Sequence, residues 1–420
     1  MKKLIILILI LFLFTGCSKK PTSEKKEISL ILWAAPYELE LFNKVITSFE
    51  KSHPNIKVKL FNVIGTYQEK LITMAVGNQL PDVVRINEWQ MLGFLDKDIF
   101  LPLDTLIDSD PEIKREDFLP IAIEQYTYNG HLYAVSFGIF PLVLYYNQTL
   151  FDREGVPYPD RSWKWDDFLK AAQKLTKVTE DSKITQYGFM TDAQFFYWVS
   201  FLWQNEGEFM ENGKWVLGDP KYKANNIGAL QFVVDLIHKY KVASLAAGGK
   251  ETMSFDQLFM SGKVAMFICG PWVSLPFKEM KDFKWNIAEL PYQKKRATFA
   301  IENGFCISKK SKYPNEAFEL IKALTSFNTS KEMEEVGFLI SPRKDICGRY
   351  FLLEVPELKR EVFTESLEYG HIYPVSPLWY RIKEEIFDQE IEKAFLNLTS
   401  PEETVDNIEK RVKQEVGIVP

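Results

Sequence analysis

Large aromatic side chains stand at the ends of several predicted segments of this chain. Trp33 and Trp89 each follow a short apolar run, and the stretches "FFYWVSFLW", "GPW" and "PLWY" repeat the pattern later. A flat aromatic face packs well against the apolar face of a sugar ring, while neighbouring Asn, Glu, Asp and Arg side chains can hydrogen-bond its hydroxyl groups. The alternative for each ring is a place in a hydrophobic core, and around residues 195–198 several rings must be core.

Compact catalytic and metal-binding motifs are missing from the sequence. It contains no G-x-S-x-G, P-loop, G-x-G-x-x-G or H-E-x-x-H pattern. Acidic residues are numerous, so a pair of carboxylates of the glycosidase type stays open, although nothing singles out such a pair. The four histidines lack metal-ligand spacing. Cys269, Cys306 and Cys347 lie in apolar surroundings, which predicts buried thiols instead of a disulfide framework.

The amino terminus has the sequence pattern of a secretory signal peptide. Lys2 and Lys3 precede an apolar run over residues 4–14, which is too short to cross a bilayer as a helix. The stretch "LFTGC" resembles a bacterial lipobox, in which the cysteine is lipidated and becomes residue one of the mature protein. We therefore expect a signal peptide over 1–16 and a lipid on Cys17. The polar stretch that follows predicts a lipid-anchored tether over 17–27.

Composition bounds the rest of the chain. About 400 mature residues exceed one comfortable core, so two domains are expected. The sequence is 46% apolar and holds 32 Phe, 18 Tyr and 10 Trp, enough to fill large cores and still supply a site. Loss of Lys2 and Lys3 with the signal peptide moves the formal charge from −6 to −8. A mildly acidic chain without a Lys/Arg block argues against a nucleic-acid partner.

The first hundred residues alternate between strand and helix patterns. "ISLILW", "IKVKLFNV" and "PDVVRIN" read as strands, and the segments between them carry apolar residues at helical spacing. Gly77 is expected to stop the second helix. This β-α-β-α-β order predicts a parallel sheet, whose ligands lie beyond the carboxyl ends of its strands. Late in the chain, "PNEAFELIKALTSF", "PLWYRIKEEIFDQEIEKAFLN" and "SPEETVDNIEKRVKQEV" read as helices, the last with a capping box at Ser400.

Several stretches, in their order along the chain, resemble family 1 extracellular solute-binding proteins of ABC importers, of the maltodextrin-binding type. "GNQLPDVV" resembles the family's "G..PDV" signature, and "FMSGKVAMFICGPW" resembles its "F..GKAAM...GPW" segment. "NGHLYAVSFGIFPLVLYYNQTLF", "SWKWDDFLKAAQKLT" and "VGFLISPRKDI" resemble three further family segments. The resemblance runs from about residue 28 to about residue 416.

The resemblance implies an α/β fold of two lobes, the type II-like periplasmic-binding-protein fold, with the ligand in the interlobe cleft. Carried onto this chain, lobe one is 28–140 plus 303–327 and lobe two is 141–302 plus 328–420. The lobes are hinged by chain crossings, which are expected near 139–143, 299–304 and 326–330.

The resemblance also implies a set of ligand contacts, carried over motif by motif. On lobe one they follow strands or precede the second helix: Trp33, Tyr37, Glu38, Tyr67, Arg85, Asn87, Glu88 and Trp89. At the crossings they are Phe140, Glu302 and Asn303, the last two with a purely hinge role as the alternative. On lobe two they are Trp198, Trp203, Trp272, Trp379 and Tyr380. The alternative for Arg85 is a surface or helix-facing side chain.

The sequence therefore predicts a protein that binds a carbohydrate, an oligosaccharide, by hinge closure and delivers it to an ABC permease with a cytoplasmic ATPase. The alternatives are a binding protein for a glycerol phosphodiester, polyamine or peptide, or a secreted glycan hydrolase. No enzyme activity, cofactor or metal is expected. A monomer is predicted, held by its lipid anchor alone at the outer face of the bacterial cytoplasmic membrane or in the periplasm.

Overall fold

The computed structural model describes residues 25–245, 255–352, 354–355 and 357–417, so the predicted signal peptide and Cys17 lie outside the described residues. The strands are β1 Lys26–Leu32, β2 Ile56–Asn62, β3 Val83–Asn87, β4 Thr127–Tyr128, β5 His131–Leu132, β6 Ala134–Pro141, β7 Val143–Asn147, β8 Lys177–Val178, β9 Ile184–Thr191, β10 Met210–Glu211, β11 Lys214–Trp215, β12 Ala243–Leu245, β13 Val264–Cys269, β14 Trp285–Ala288, β15 Thr298–Ile307 and β16 Gly370–His371.

Helices surround these strands along the whole described chain. They are α1 Pro36–Ser52, α2 Tyr67–Val76, α3 Glu88–Leu92, α4 Asp104–Ser109, α5 Pro120–Gln125, α6 Gln148–Glu154, α7 Trp165–Leu175, α8 Phe195–Gln204, α9 Lys223–His238, α10 Phe255–Met260, α11 Ser274–Lys278, α12 Pro314–Leu324, α13 Phe327–Glu335, α14 Glu361–Ser366, α15 Pro377–Ile382, α16 Asp388–Phe395 and α17 Pro401–Arg411. Short 3-10 turns lie at Arg115–Asp117, Pro271–Val273 and Leu367–Tyr369, and π turns at Lys383–Phe387 and Val412–Val416.

The first sheet has the predicted parallel order at its amino-terminal end. β1 pairs in parallel with β2 on one side and with β3 on the other. β15 then adds antiparallel to β3, and β6 adds antiparallel to β15. The carboxyl ends of β1 and β3 meet at one edge, so Trp33 and Asn87 come close together there, as strand order in such sheets requires.

Two predicted helix termini lie at the expected residues, but at the end of α2 the left-handed residue is not the glycine. α2 ends at Val76 as expected, but Gly77 has φ −78, and it is Asn78 that takes the left-handed conformation with φ 51. At α17 the capping box is confirmed: the Ser400 hydroxyl accepts from the Glu403 amide, and the Glu403 carboxylate accepts from the Ser400 amide.

The second sheet has the order β12-β9-β13-β7-β14, with β8 pairing β9. β9 runs parallel to β12 and β13, whereas β7 runs antiparallel to β13 and β14. The carboxyl ends of β9 and β13 therefore lie at one edge, which places Asp192 and Trp272 near each other.

Among the described strands, the chain passes between the two sheets at two places. β6 ends at Pro141 and β7 begins at Val143, so a single residue separates a strand of the first sheet from one of the second. The return lies between β14 and β15. After α13 the chain meets the first crossing again, because Ile340 forms a backbone bridge with Ile139.

One glycine of the second sheet tolerates no side chain. A Cβ on Gly188 of β9 would lie 2.1 Å from the backbone oxygen of Ala172 on α7, so the helix and the sheet touch through bare backbone. Gly228 is a matched control, because it lies on the exposed side of α9 and a Cβ there would meet only the Asn205 side-chain nitrogen at 3.2 Å.

We predict that Gly188→Ala lowers the free energy of unfolding by about 3 kcal/mol or more, since neither backbone can yield. Gly228→Ala should change it by less than about 1 kcal/mol, because alanine favours the helix. Urea denaturation followed by circular dichroism measures both. Equal midpoints for Gly188→Ala and the parent protein would contradict the close helix–sheet packing.

Candidate ligand-binding site

The segment over residues 33–38, which joins the loop 33–35 to the first turn of α1 and is called the 33–38 loop here, presents the first aromatic group at the edge of the first sheet. Its Trp33 and Tyr37 side chains are half-buried and form what is called here the first wall. The Asn62 amide group holds Ala34 through both backbone atoms, accepting from its N–H at 2.9 Å and donating to its C=O at 3.1 Å. The Glu38 carboxylate accepts from the Ala35 N–H, which caps α1. The loop is therefore fixed at both ends.

Three predicted contacts lie behind Trp33 instead of beside it. The Arg85 guanidinium packs against the Trp33 ring, 4.0 Å from its centroid, and donates to the Trp33 carbonyl. The Tyr67 hydroxyl donates to the Arg85 carbonyl at 2.6 Å, and its ring meets Trp33 edge-on. Glu38 lies 3.5 Å from Arg85 and is itself nearly buried. These three side chains support the first wall, and their direct contact with a ligand stays a prediction.

A second aromatic group faces the first wall from the other sheet. Trp272 follows β13, and Tyr197 on α8 stacks on Phe255 of α10 with ring centroids 4.2 Å apart. Tyr197, Phe255 and Trp272 are half-buried and form the second wall.

Electrostatics link the two walls. Burial, helped by the carboxylates of Glu38 and Asp256 and opposed by Arg85, raises the pKa of Tyr37. Asp256 belongs to α10, the helix that also carries Phe255 of the second wall. Asp192, at the carboxyl end of β9, and Asp256 both act on Tyr197, whose pKa burial raises. Sequence reasoning missed Tyr197, Phe255, Asp192 and Asp256.

Phe140 and Phe338, which are 3% and 1% exposed, form a buried layer between the walls that is called the floor here. Phe140 lies at the first crossing, and its ring centroid is 5.9 Å from those of both Trp272 and Phe338. Phe338 in turn meets Tyr37 edge-on at 6.3 Å. Aromatic contacts therefore run without a break from the first wall across the floor to the second wall. Phe338 was also missed, although it lies within the quoted "VGFLISP" stretch.

Trp89 and Tyr380 form a separate contact at the side of the cleft. Their ring centroids are 5.6 Å apart, and Trp89 donates its indole N–H to Glu384 at 3.1 Å. A Cβ on Gly93 would lie 3.0 Å from the Tyr380 ring, so α15 rests directly on the turn after α3. Asn87 caps α3 by accepting from the Gln90 N–H. The structure thus brings these residues together as a contact between the amino-terminal and carboxyl-terminal parts of the chain.

The family model for bacterial extracellular solute-binding proteins matches residues 35–326. The chain belongs to this family. A relative, the arabinooligosaccharide-binding protein of Bacillus subtilis (strain 168), is 29% identical over 297 residues, which cover 69% of this chain and 66% of that protein.

Solved structures of solute-binding proteins share the fold. An ABC substrate-binding protein of Listeria monocytogenes in complex with cycloalternan matches with a TM-score of 0.83 and 26% identity, covering 94% of this chain and all of the other. A Mycobacterium tuberculosis protein in complex with glycerophosphocholine matches with a TM-score of 0.80 and 19% identity, covering 94% and 99%. The expected two-lobe fold of the periplasmic-binding-protein type is confirmed.

Three tryptophans that were expected to be ligand platforms lie in the core of this solute-binding protein. Trp198, Trp203 and Trp379 are at most 1% exposed. Trp379 is packed by Phe209 with ring centroids 4.4 Å apart, and Trp203 is stacked on His371 at 4.4 Å. α8 is apolar on all sides, and such helices are buried. No face of these rings is open in this conformation, so their ligand contact stays a prediction without support from exposure.

Two carboxyl groups lie buried at the crossings of the solute-binding protein. Glu302 on β15 accepts from the Ser136 hydroxyl at 2.6 Å, and the Glu302 N–H donates to the Glu88 carboxylate at 2.9 Å. Burial raises the pKa of Glu88 to about 8 and that of Glu302 well above its ordinary value. Glu302 pairs with Ile139, whereas Phe140 points the opposite way toward Trp272. The pair therefore lies on the face of the crossing strands that turns away from the floor. Asn303 is nearly buried and its Oδ1 has no partner among the described residues.

Two classes of feature are absent from the described ranges. Within 25–245, 255–352 and 357–417, no helix has the length and apolar character needed to cross a membrane. The same residues contain no group of three or more His, Cys, Asp or Glu side chains placed to hold a metal ion.

The buried acids predict a pH-dependent stability. Between about pH 4.5 and pH 8 the folded state keeps the Glu88 proton, whereas the unfolded chain releases it, so the free energy of unfolding falls as the pH rises. Glu88 should contribute a slope approaching about 1.4 kcal/mol per pH unit. Glu88→Gln should remove that slope in urea titrations at pH 5, 6, 7 and 8. Glu402→Gln on the exposed side of α17 controls for the change of charge, and identical slopes in all three proteins would contradict the prediction.

Proposed function

We propose that this solute-binding protein captures a neutral carbohydrate between the first and second walls and delivers it to an ABC permease driven by a cytoplasmic ATPase. The observation that carries the proposal is the unbroken series of ring contacts from Tyr37 of the first wall through Phe338 and Phe140 to Trp272 of the second wall. Flat rings facing each other from two sheets suit the apolar faces of a sugar chain. The names of the Bacillus relative and of the Listeria complex point to oligosaccharides as well.

The free energies of the available contacts favour ring stacking as the main source of affinity for a sugar. Burial of one large apolar face contributes about 1.5–3 kcal/mol. Three such faces contribute about 4.5–9 kcal/mol before ordering costs, which is the size of the roughly −8 kcal/mol of micromolar binding. Hydrogen bonds that sugar hydroxyls donate to the Asp192 and Asp256 carboxylates exchange for water almost evenly, so they set orientation more than affinity.

The placement of charge argues against an anionic ligand. A glycerol phosphodiester would need an accessible cation at the cleft. The Arg85 guanidinium lies behind Trp33 and is engaged by the Trp33 carbonyl and the Glu38 carboxylate. The similarity to the glycerophosphocholine complex, at 19% identity, concerns the fold alone.

No catalytic role is proposed for any residue. The buried carboxyl pair of Glu88 and Glu302 lies on the face of the crossing strands opposite Phe140, away from the walls, so it does not flank a bond in the cleft. Hydrolysis of any oligosaccharide by purified protein would overturn this part of the proposal.

Closure is proposed to be a hinge motion of two lobes, 28–140 plus 303–327 and 141–302 plus 328–420. Support comes from the two sheets and from the single residue, Leu142, between β6 and β7. A ligand that bridges both walls binds the closed form better, and only such a difference in affinity shifts the equilibrium. The protein is proposed to act as a monomer, anchored at the outer face of the cytoplasmic membrane or in the periplasm by a lipid on Cys17.

We predict that wild-type protein binds neutral oligosaccharides in a calorimetric panel, and that Trp33→Ala and Trp272→Ala each raise Kd roughly 10- to 100-fold through loss of one apolar face. Phe327→Ala, an exposed ring on α13, should leave Kd unchanged. Tight binding of another solute class, with every sugar inactive, would reject the carbohydrate assignment.

We predict that Cys17→Ala protein is recovered in the soluble fraction after fractionation of the expressing cells, since the polar tether has no membrane affinity of its own. Intact-mass spectrometry should find a lipid adduct on the parent protein and none on the variant. A variant that stays with the membrane would refute the anchor.

A further inference from the structure

Arg85 occupies an unusual position for a charged residue. It lies on β3, two residues before the strand ends, and its side chain is 3% exposed. Four aromatic rings surround the guanidinium carbon, at centroid distances of 4.0 Å for Trp33, 5.1 Å for Phe137, 5.7 Å for Phe42 and 6.0 Å for Phe338. A desolvated guanidinium is attracted to ring faces at such distances.

The charge of Arg85 is only partly compensated. Its nearest acid is Glu38 at a long 3.5 Å, and its Nε has no partner among the described residues. Burial lowers the pKa of Arg85. A buried ion with incomplete pairing destabilises a fold, and an apolar side chain of similar volume is often the better choice for stability alone. The position therefore holds a cation for a reason other than core packing.

Both polar groups that engage the guanidinium belong to the 33–38 loop. The carbonyl of Trp33 begins the loop, and Glu38 ends it while also capping α1 through the Ala35 N–H. One side chain thus joins the two ends of the segment that carries Trp33 and Tyr37. The backbone of Arg85 is held as well, because the Tyr67 hydroxyl donates a hydrogen bond to the Arg85 carbonyl.

The same guanidinium adjoins the floor. Phe338 lies beside Arg85 and contacts both Tyr37 and Phe140, and Phe140 contacts Trp272 of the second wall. Removal of the cation would loosen the loop at its base and take away one neighbour of the floor ring, without removing any ring from the cleft itself.

We infer that Arg85 is a positioning residue that holds the 33–38 loop in its binding conformation from behind, without touching the ligand. The inference rests on the proposed function, since it concerns the same cleft. A loop held in place before binding has less conformational freedom to lose, which raises affinity for every ligand that uses it.

The test compares Arg85→Met and Arg85→Lys with Lys322→Met. Lys322 of α12 is a control cation, 12% exposed and paired with Asp110, Glu112 and Glu319. Amide hydrogen exchange is measured on the ligand-free proteins. In Arg85→Met, exchange should rise at least tenfold in residues 33–38 and stay unchanged around Lys322, whereas Lys322→Met should show the reverse.

Calorimetry supplies the second readout. Arg85→Met should raise Kd about tenfold or more, by a similar factor for every sugar that wild type binds, and Arg85→Lys should recover part of the loss. Lys322→Met should keep the wild-type Kd even where its melting temperature falls. A loss confined to sugars with one particular hydroxyl would mean direct contact and would overturn the inference.

The two hypotheses fail in distinguishable ways. If wild type binds no sugar, the proposed function fails, while the exchange measurement on ligand-free protein still decides the role of Arg85. Wild-type exchange in residues 33–38 of Arg85→Met would overturn the inference whatever the ligand. Should Arg85→Met not fold, the same comparison is made with Arg85→Lys and with Glu38→Gln, both of which should raise exchange in the loop.

Discussion

Backbone pairing between β6 and β15 joins the two halves of the molecule. Its register runs from Ala134 with Cys306 to Pro141 with Ala300, and one residue beyond it the chain enters the second sheet. Because neighbouring residues of a strand point to opposite faces, the ribbon has two different sides. On one side of the strand pair, the Phe140 ring contacts Trp272. On the other side, Ile139 packs with Ala122 and Ala300. The cleft floor and its reverse face are thus fixed by the same hydrogen bonds.

That alternation also separates buried charges of opposite sign. Arg85 of β3 pairs with Phe305 of β15, so these two side chains lie on the same face of the sheet. Glu302 pairs with Ile139, and their side chains lie on the opposite face. The cation and the two acids therefore do not neutralise each other, although all three are buried near the same crossing. The two sides stabilise these groups differently. Burial raises the pKa of both acids, which favours their neutral forms. The guanidinium is stabilised by Glu38, the Trp33 carbonyl and four aromatic rings. The two faces of the sheet therefore differ in chemistry, because one carries the Arg85 guanidinium and the other carries the Glu302 carboxyl group.

Local patterns predicted the elements well and the surroundings of side chains poorly. The first three strands, α1, α12 and the capping box of α17 follow from spacing and turn residues, which act over a few residues. Adjacent Tyr197 and Trp198 look equivalent in "FFYW", yet Tyr197 belongs to the second wall and Trp198 lies in the core. The orientation of the helix relative to distant Phe387 and Phe395 makes the difference. The Arg85–Glu38 pair, 47 residues apart, and the packing of Phe209 on Trp379 likewise depend on contacts that no local window contains.

The direction of β1 has a mechanical consequence. This strand begins at Lys26 and ends beside Trp33, so its start and the first wall lie at opposite ends of one seven-residue strand. Anything joined to the chain before Lys26 therefore acts on the first sheet from the end remote from the first wall. Under the proposed lipid anchor and hinge motion, the first sheet would be the part held near the bilayer and the second sheet the part that moves.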